Sequence, residues 1–245
     1  MTEGSSNRGK GAFFTLYGSS YPAGSMIAQA WGISRIIDVL EQNAASLIID
    51  PKKTAVTGCS RYGKVALVVG AFDERIALTI PQESGSGGTS SWRMADWEFQ
   101  GDSSVLTLPM IASEDWYFAT SFDQFKGSTT KLPFDNHMLM AMVAPRALLL
   151  IDNAGLVPLA PQSAWGASLT ARKVYQALGV TDRMGISQAP THSHCSFPSS
   201  QQPELTAFIT RFLLDGSANT DVTVNGGSYT FAESDWVGWT VPPLN

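Results

Sequence analysis

The sequence predicts an α/β sandwich, a mainly parallel sheet with helices on both faces. Short and almost wholly apolar runs at 54–57, 77–81, 147–152 and 184–188 read as buried strands. A strand hidden on both faces loses the apolar–polar alternation of a half-exposed one. Helical patterns separate these runs at βαβ spacing, which sets neighbouring strands parallel.

In chain order, segment 23–42 brings Met26, Ile27, Ala30, Ile33, Ile36, Ile37 and Leu40 near one face of an amphipathic helix. A strand at 54–57 and a helix at 64–72 follow. After the strand at 77–81 the alternation breaks. Residues 84–131, rich in Gly, Ser and Trp, read as an insertion over the mouth of the sheet. A helix at 134–143, a strand at 147–152, a helix at 164–178 and a strand at 184–188 restore the pattern. The helix at 203–214 turns Leu205, Phe208, Ile209, Phe212 and Leu213 inward. The tail is polar but carries Trp236 and Trp239, so it is expected to wrap over the body, since disorder disfavours aromatics.

The 245 residues fit one domain, 1–245, large enough for a substantial core. With 44% hydrophobic and 15% charged residues the composition is globular. Sixteen Lys and Arg against 21 Asp and Glu give a net charge of −5, which argues against a nucleic-acid partner. The longest apolar stretches, 65–72 and 147–151, are too short to span a membrane, and residues 1–10 hold no apolar core of a signal peptide. Cys59 and Cys195 are either two buried thiols or one disulfide.

The chemistry centres on Thr57-Gly58-Cys59-Ser60-Arg61-Tyr62-Gly63-Lys64, at a strand-to-helix junction. A serine there is raised to the top of the sheet, where N–H groups of the helix start face a developing oxyanion. Tyr62 stands where the usual elbow has its second Gly, and Gly63 follows it. A serine in a turn is most often only a turn residue. Here, however, Glu83 follows the second strand and His194 lies just past the fourth, with Asp152 at the end of the third as a rival acid. Serine, acid, histidine is the chain order of α/β-hydrolase triads. His192-Ser193-His194-Cys195 raises a metal alternative, but only His137 and Cys59 remain as further ligands of these types, an incomplete set. Arg61 and Lys64 oppose the helix dipole, a cost that an anionic substrate or the oxyanion would offset. Trp92 and Trp97 either stack on a sugar or pack the insertion.

These motifs resemble the glucuronoyl esterases of carbohydrate esterase family 15. The matching blocks are Gly58-Cys59-Ser60-Arg61-Tyr62-Gly63-Lys64; Pro81-Gln82-Glu83-Ser84-Gly85-Ser86-Gly87-Gly88; Leu132-Pro133-Phe134-Asp135-Asn136-His137-Met138-Leu139 with Ala144-Pro145-Arg146; and His192-Ser193-His194-Cys195-Ser196-Phe197-Pro198. Asn219-Thr220-Asp221-Val222 and Trp236-Val237-Gly238-Trp239-Thr240 extend the match towards the end. The resemblance implies an α/β-hydrolase-like three-layer sandwich with Ser60 as nucleophile, His194 as base and Glu83 as the triad acid. It further implies Arg61 at the oxyanion, Lys64 and Glu114 on the sugar, a Cys59–Cys195 disulfide and no metal or organic cofactor. The reaction implied is hydrolysis of esters between (4-O-methyl-)glucuronic acid on xylan and lignin-type alcohols. A secreted monomer is expected.

Departures from the family shape these expectations. Leu106 stands where the family often has Gln, Pro158 where a sugar-contacting Trp is usual, and Val65 where Gly is usual. Ester hydrolysis is expected to persist with weakened or altered glucuronate recognition. The family also carries a long N-terminal portion ahead of the block that starts here near Gly11. Its strands are expected to be missing, leaving the strand at 54–57 with an apolar, unpaired edge. A second reading is therefore a truncated, non-catalytic remnant that binds acidic carbohydrate. A lipase-like enzyme fits poorly, because Arg61 and Lys64 would face an apolar acyl chain.

Overall fold

The computed structural model describes residues 8–113 and 117–244. Helices α1 (Ala12–Tyr17) and α2 (Ser25–Gln42) precede β1 (Ala55–Cys59), α3 (Arg61–Phe72) and β2 (Leu78–Gln82). Helices α4 (Trp92–Gly101), α5 (Leu108–Ser113) and α6 (Asn136–Ala141) lead to β3 (Ala147–Asn153), α7 (Pro161–Ala177) and β4 (Met184–Ala189). The chain closes with α8 (Gln202–Phe212), β5 (Thr223–Asn225) and α9 (Glu233–Trp236). The strands form one sheet in the order β1-β2-β3-β4-β5, each pair parallel.

All four expected strands are present, within a residue or two of their expected bounds. The sheet is covered on both sides, and β3 shows how. Leu148 and Leu150 join a core with Leu67 of α3, Met140 of α6, and Trp165, Ala171 and Tyr175 of α7. Leu149 and Ile151 point the other way, onto Phe208 of α8 with Leu78 and Ile80 of β2. Period-two side chains thus bury both faces of a continuous apolar run, each large side chain contributing about 1.5–3 kcal/mol.

Four expectations change. Ile27 and Ile36 of α2 are exposed, whereas Met26, Ala30 and Ile37 are buried and Ile33 and Leu40 pack beside them. The buried set follows i, i+4, i+7 spacing, and the two exposed residues each sit one position off that stripe, about 100° round the helix. Residues 84–131 are not merely a cover. Trp92 of α4 and Leu108, Ile111 and Ala112 of α5 share a core with Met26, Val56, Val65 and Val68. The tail adds a strand, β5, alongside β4. As for β1, it is one of the two edge strands, with Val56 buried but Ala55 and Thr57 exposed, so it is less deeply buried than expected.

An ionic cluster ties α2 to the turn after α3. Arg75 donates to Asp73, Asp38 and Glu41, and to the Ser34 carbonyl. The Arg75 hydrogen bonds hold the Asp73 carboxyl down to about 2, against burial, which raises it. A depressed acid adds stability above its unfolded value and loses it as pH falls through the folded value. Arg75→Met is therefore expected to cost about 2 kcal/mol at pH 7. The difference should shrink when urea melts are repeated near pH 2.

Candidate active site

The elbow that carries Ser60, the candidate nucleophile, is built from close backbone contacts. Ser60 sits between β1 and α3 at φ 58° and ψ −122°, and its N–H donates to the Gln82 carbonyl at 2.9 Å. That left-handed backbone costs of order 1–3 kcal/mol for a non-glycine residue, so neighbouring contacts must hold it. Two glycines permit those contacts. A Cβ on Gly58 would lie 2.5 Å from the Tyr62 carbonyl oxygen, and one on Gly63 would lie 2.6 Å from that of Gln82. Close approach to β2 thus explains why the second glycine here is Gly63, with Tyr62 left outside and exposed.

Glu83 follows β2 at φ 44°, its N–H anchored to the Ile151 carbonyl at 2.7 Å. The carboxylate is 1% exposed. Its Oε2 accepts from His194 Nδ1 at 2.6 Å and from the Cys195 N–H at 3.1 Å. A proton on Nδ1 leaves Nε2 as the basic nitrogen of His194. Gln82 was not legible as part of this site. Its amide donates to Glu83 Oε1 at 3.2 Å and to the Ser196 carbonyl at 2.9 Å, joining the acid to the histidine loop.

Cys59 and Cys195 form a disulfide, with Cα atoms 5.7 Å apart. The bond links the residue before Ser60 to the residue after His194. A His194 ring nitrogen and both sulfurs lie within 4.8 Å of one another. A metal does not suit this trio, because disulfide sulfurs offer no thiolate. His137, the other donor raised from the sequence, lines a different cavity.

Lys64 is buried in the first turn of α3. Its ammonium donates to the Ser84 carbonyl and, at 2.7 Å, to that of Ser86, so it orders the loop after Glu83. Arg61, at the helix start, is exposed. Asp152 is the penultimate residue of β3 and is buried. Burial foremost, with the Glu83 charge beside it, pushes its carboxyl up to about 7, while Thr89 and Lys64 oppose the rise. The hydrogen bond donated by His194 goes to Glu83, not to Asp152. Leu106 and Pro158 meet, the Leu106 N–H donating to the Pro158 carbonyl at 3.0 Å. Glu114 lies outside the described residues.

The family model described as "Glucuronyl esterase, fungi" matches residues 1–179. The chain is 48% identical to 4-O-methyl-glucuronoyl methylesterase 1 of Phanerochaete chrysosporium, over 98% of this chain and 51% of that protein. It spans about half the length of the curated relatives it matches. The glucuronoyl esterase catalytic domain from Hypocrea jecorina superposes with TM-score 0.93 at 47% identity, covering 98% of this chain and 65% of that one. A mutant glucuronoyl esterase from Sporotrichum thermophile in complex with methyl 4-O-methyl-β-D-glucopyranuronate superposes with TM-score 0.86 at 42% identity, covering 91% and 62%. An elbow serine, a carboxylate-held histidine and a disulfide joining their loops are set in a sheet that superposes on these enzymes, and the chain belongs to the glucuronyl esterase family of fungi.

Proposed function

We propose that this chain is a serine esterase domain, residues 1–245, that hydrolyses esters of 4-O-methyl-glucuronic acid. The observation that carries the reading is the Glu83–His194 hydrogen bond, beside a serine held in a strained elbow. In the proposed reaction His194 Nε2 takes the Ser60 proton as the serine oxygen attacks the ester carbonyl. The imidazolium, stabilised by Glu83, then gives that proton to the departing alcohol. Water, deprotonated by the same histidine, attacks the acyl-enzyme and releases the glucuronic acid and free Ser60.

Arg61 is assigned to the oxyanion, with the first N–H groups of α3. Lys64 supports the sugar side through its charge and through the 84–86 loop that it holds. Glu114 completes that side by family likeness. The relatives' methylesterase name and the solved complex with a methyl glucuronate ester support a glucuronate ester as substrate, and the glucuronoxylan–lignin cross-link is proposed as its natural form by family likeness. A disulfide beside the nucleophile suits an oxidising, extracellular setting. Among the described residues no helix is long and apolar enough to cross a membrane.

With Leu106 and Pro158 where the family usually has Gln and Trp, the sugar side is read as offering fewer hydrogen-bonding and stacking side chains. Ester hydrolysis should survive this better than sugar selectivity. Steady-state rates of the purified chain on methyl 4-O-methyl-glucuronate and on an aryl acetate test both parts. Turnover of both esters, with a modest preference for the glucuronate, is expected. Strong selectivity for glucuronate would overturn the altered-recognition part, and no turnover of either would favour the carbohydrate-binding remnant.

A further inference from the structure

A cavity of about 280 Å³ opens between α4, the turn before α6, α7 and the C-terminal tail. That approaches the range of small-ligand pockets, about 300–1,000 Å³. It shares no lining residue with the Ser60–Glu83–His194 site. Its walls are aromatic. Trp239 is 43% exposed and Phe134 38%, and Trp236 is braced edge-on by Trp97 at 5.9 Å between centroids. Large rings open to solvent, one of them braced by another ring, present flat faces, a poor use of tryptophan if the tail needed only an anchor.

The polar groups narrow the ligand class. Arg93 is paired with Asp135 at 3.1 Å and donates to the Leu132 and Phe134 carbonyls. Asp135 in turn accepts from Ser91 Oγ and from the Trp92 and Asn136 N–H groups. The two charges therefore cancel within the wall, and an anionic ligand would meet no excess of cation. His137 is half-buried, and its imidazole makes no hydrogen bond to any other described residue. Burial foremost, with the Arg93 charge, lowers its pKa, while Asp135 opposes the shift. A neutral imidazole offers one donor and one acceptor, which a hydroxyl pair satisfies and a purely apolar ligand leaves unpaired. Flat ring faces for C–H groups, a neutral donor–acceptor pair and no net charge together describe a sugar site.

We propose that this cavity is a second carbohydrate-binding site that takes a neutral pyranose unit, with Trp236 and Trp239 as stacking faces and His137 as the hydroxyl partner. The ligand class is read from the cavity itself. That the pyranose belongs to a xylan main chain, held while its glucuronate branch is cleaved, rests on the esterase reading above.

The test is titration of tryptophan fluorescence with xylohexaose and, separately, cellohexaose. Wild type and Ser60→Ala should bind equally. Trp239→Ala and His137→Phe should each weaken binding by about tenfold or more, a loss of about 1.4 kcal/mol. Trp239→Phe, which keeps a ring face, should stay within a few-fold of wild type. Turnover of methyl 4-O-methyl-glucuronate by Trp239→Ala should be unchanged. Full affinity in both the Trp239→Ala and His137→Phe variants, or no binding of either oligosaccharide by cooperatively melting protein, overturns the proposal. Binding of cellohexaose alone keeps the pyranose site and overturns the xylan assignment. Binding without any glucuronate turnover in wild type removes the esterase reading and leaves the sugar site standing.

Discussion

Ser60→Ala is expected to abolish measurable ester hydrolysis, a loss of about 10⁵–10⁶ in kcat, because no other group supplies the acyl acceptor. Glu83→Ala should cost less, about 10³–10⁴, since His194 remains but loses the carboxylate that fixes its tautomer and stabilises its charged form. Asp152→Asn is expected to cost less than about tenfold, because its link to His194 runs only through Glu83. The same variant should separate stability from catalysis. A buried acid with a raised pKa binds its proton more tightly when folded, so the fold loses stability as pH rises from the ordinary carboxylate range to about 7. Asn at 152 carries no such cost, and the variant should gain on wild type between pH 5 and pH 8 in denaturant melts. Equal kcat losses from Glu83→Ala and Asp152→Asn would reassign the triad acid.

Removing the Cys59–Cys195 bond is the second large effect. The cysteines are 136 positions apart, and closing so long a loop constrains the unfolded chain by about 4–5 kcal/mol in the chain-entropy view. Cys59→Ala/Cys195→Ala, or full reduction, should lower the melting temperature by on the order of 10 °C. Activity should fall as well, because the bond sets the spacing of the serine and histidine loops. A displacement of about 1 Å there costs about 10–10² in kcat. Scanning fluorimetry and steady-state kinetics with and without reductant measure both effects. An unchanged kcat in a destabilised protein would show that Glu83 and Gln82 alone hold His194.

Much of the frame was legible because β3 and β4 are continuous apolar runs, which nothing but a buried strand or helix accommodates, and their length chose the strand. Ser60, Glu83 and His194 were legible because parallel topology delivers each strand's following residue to the same end of the sheet. Other parts carried no such signal. β5 has three residues, too few for any period, and exists because the Ile186 N–H finds the Val222 carbonyl. The role of Gln82 depends on Ser196, 114 positions away. The disulfide was open from the residues and came from family likeness. Trp92 and Trp97 were indistinguishable by composition, yet the first is core and the second exposed, because only Trp92 lies on the face of α4 turned towards α5 and α2.

Ser60, Glu83 and Cys195 all hold left-handed backbone without being glycine, each at a cost of order 1–3 kcal/mol. The reactive end of the sheet is thus kept taut by the rest of the molecule. Thermostability engineered by relaxing these three positions would dissolve the geometry that it meant to preserve. Hardening such a protein has to begin elsewhere, at places such as the outer edge of β1, where no residue from Ala55 to Cys59 holds left-handed backbone.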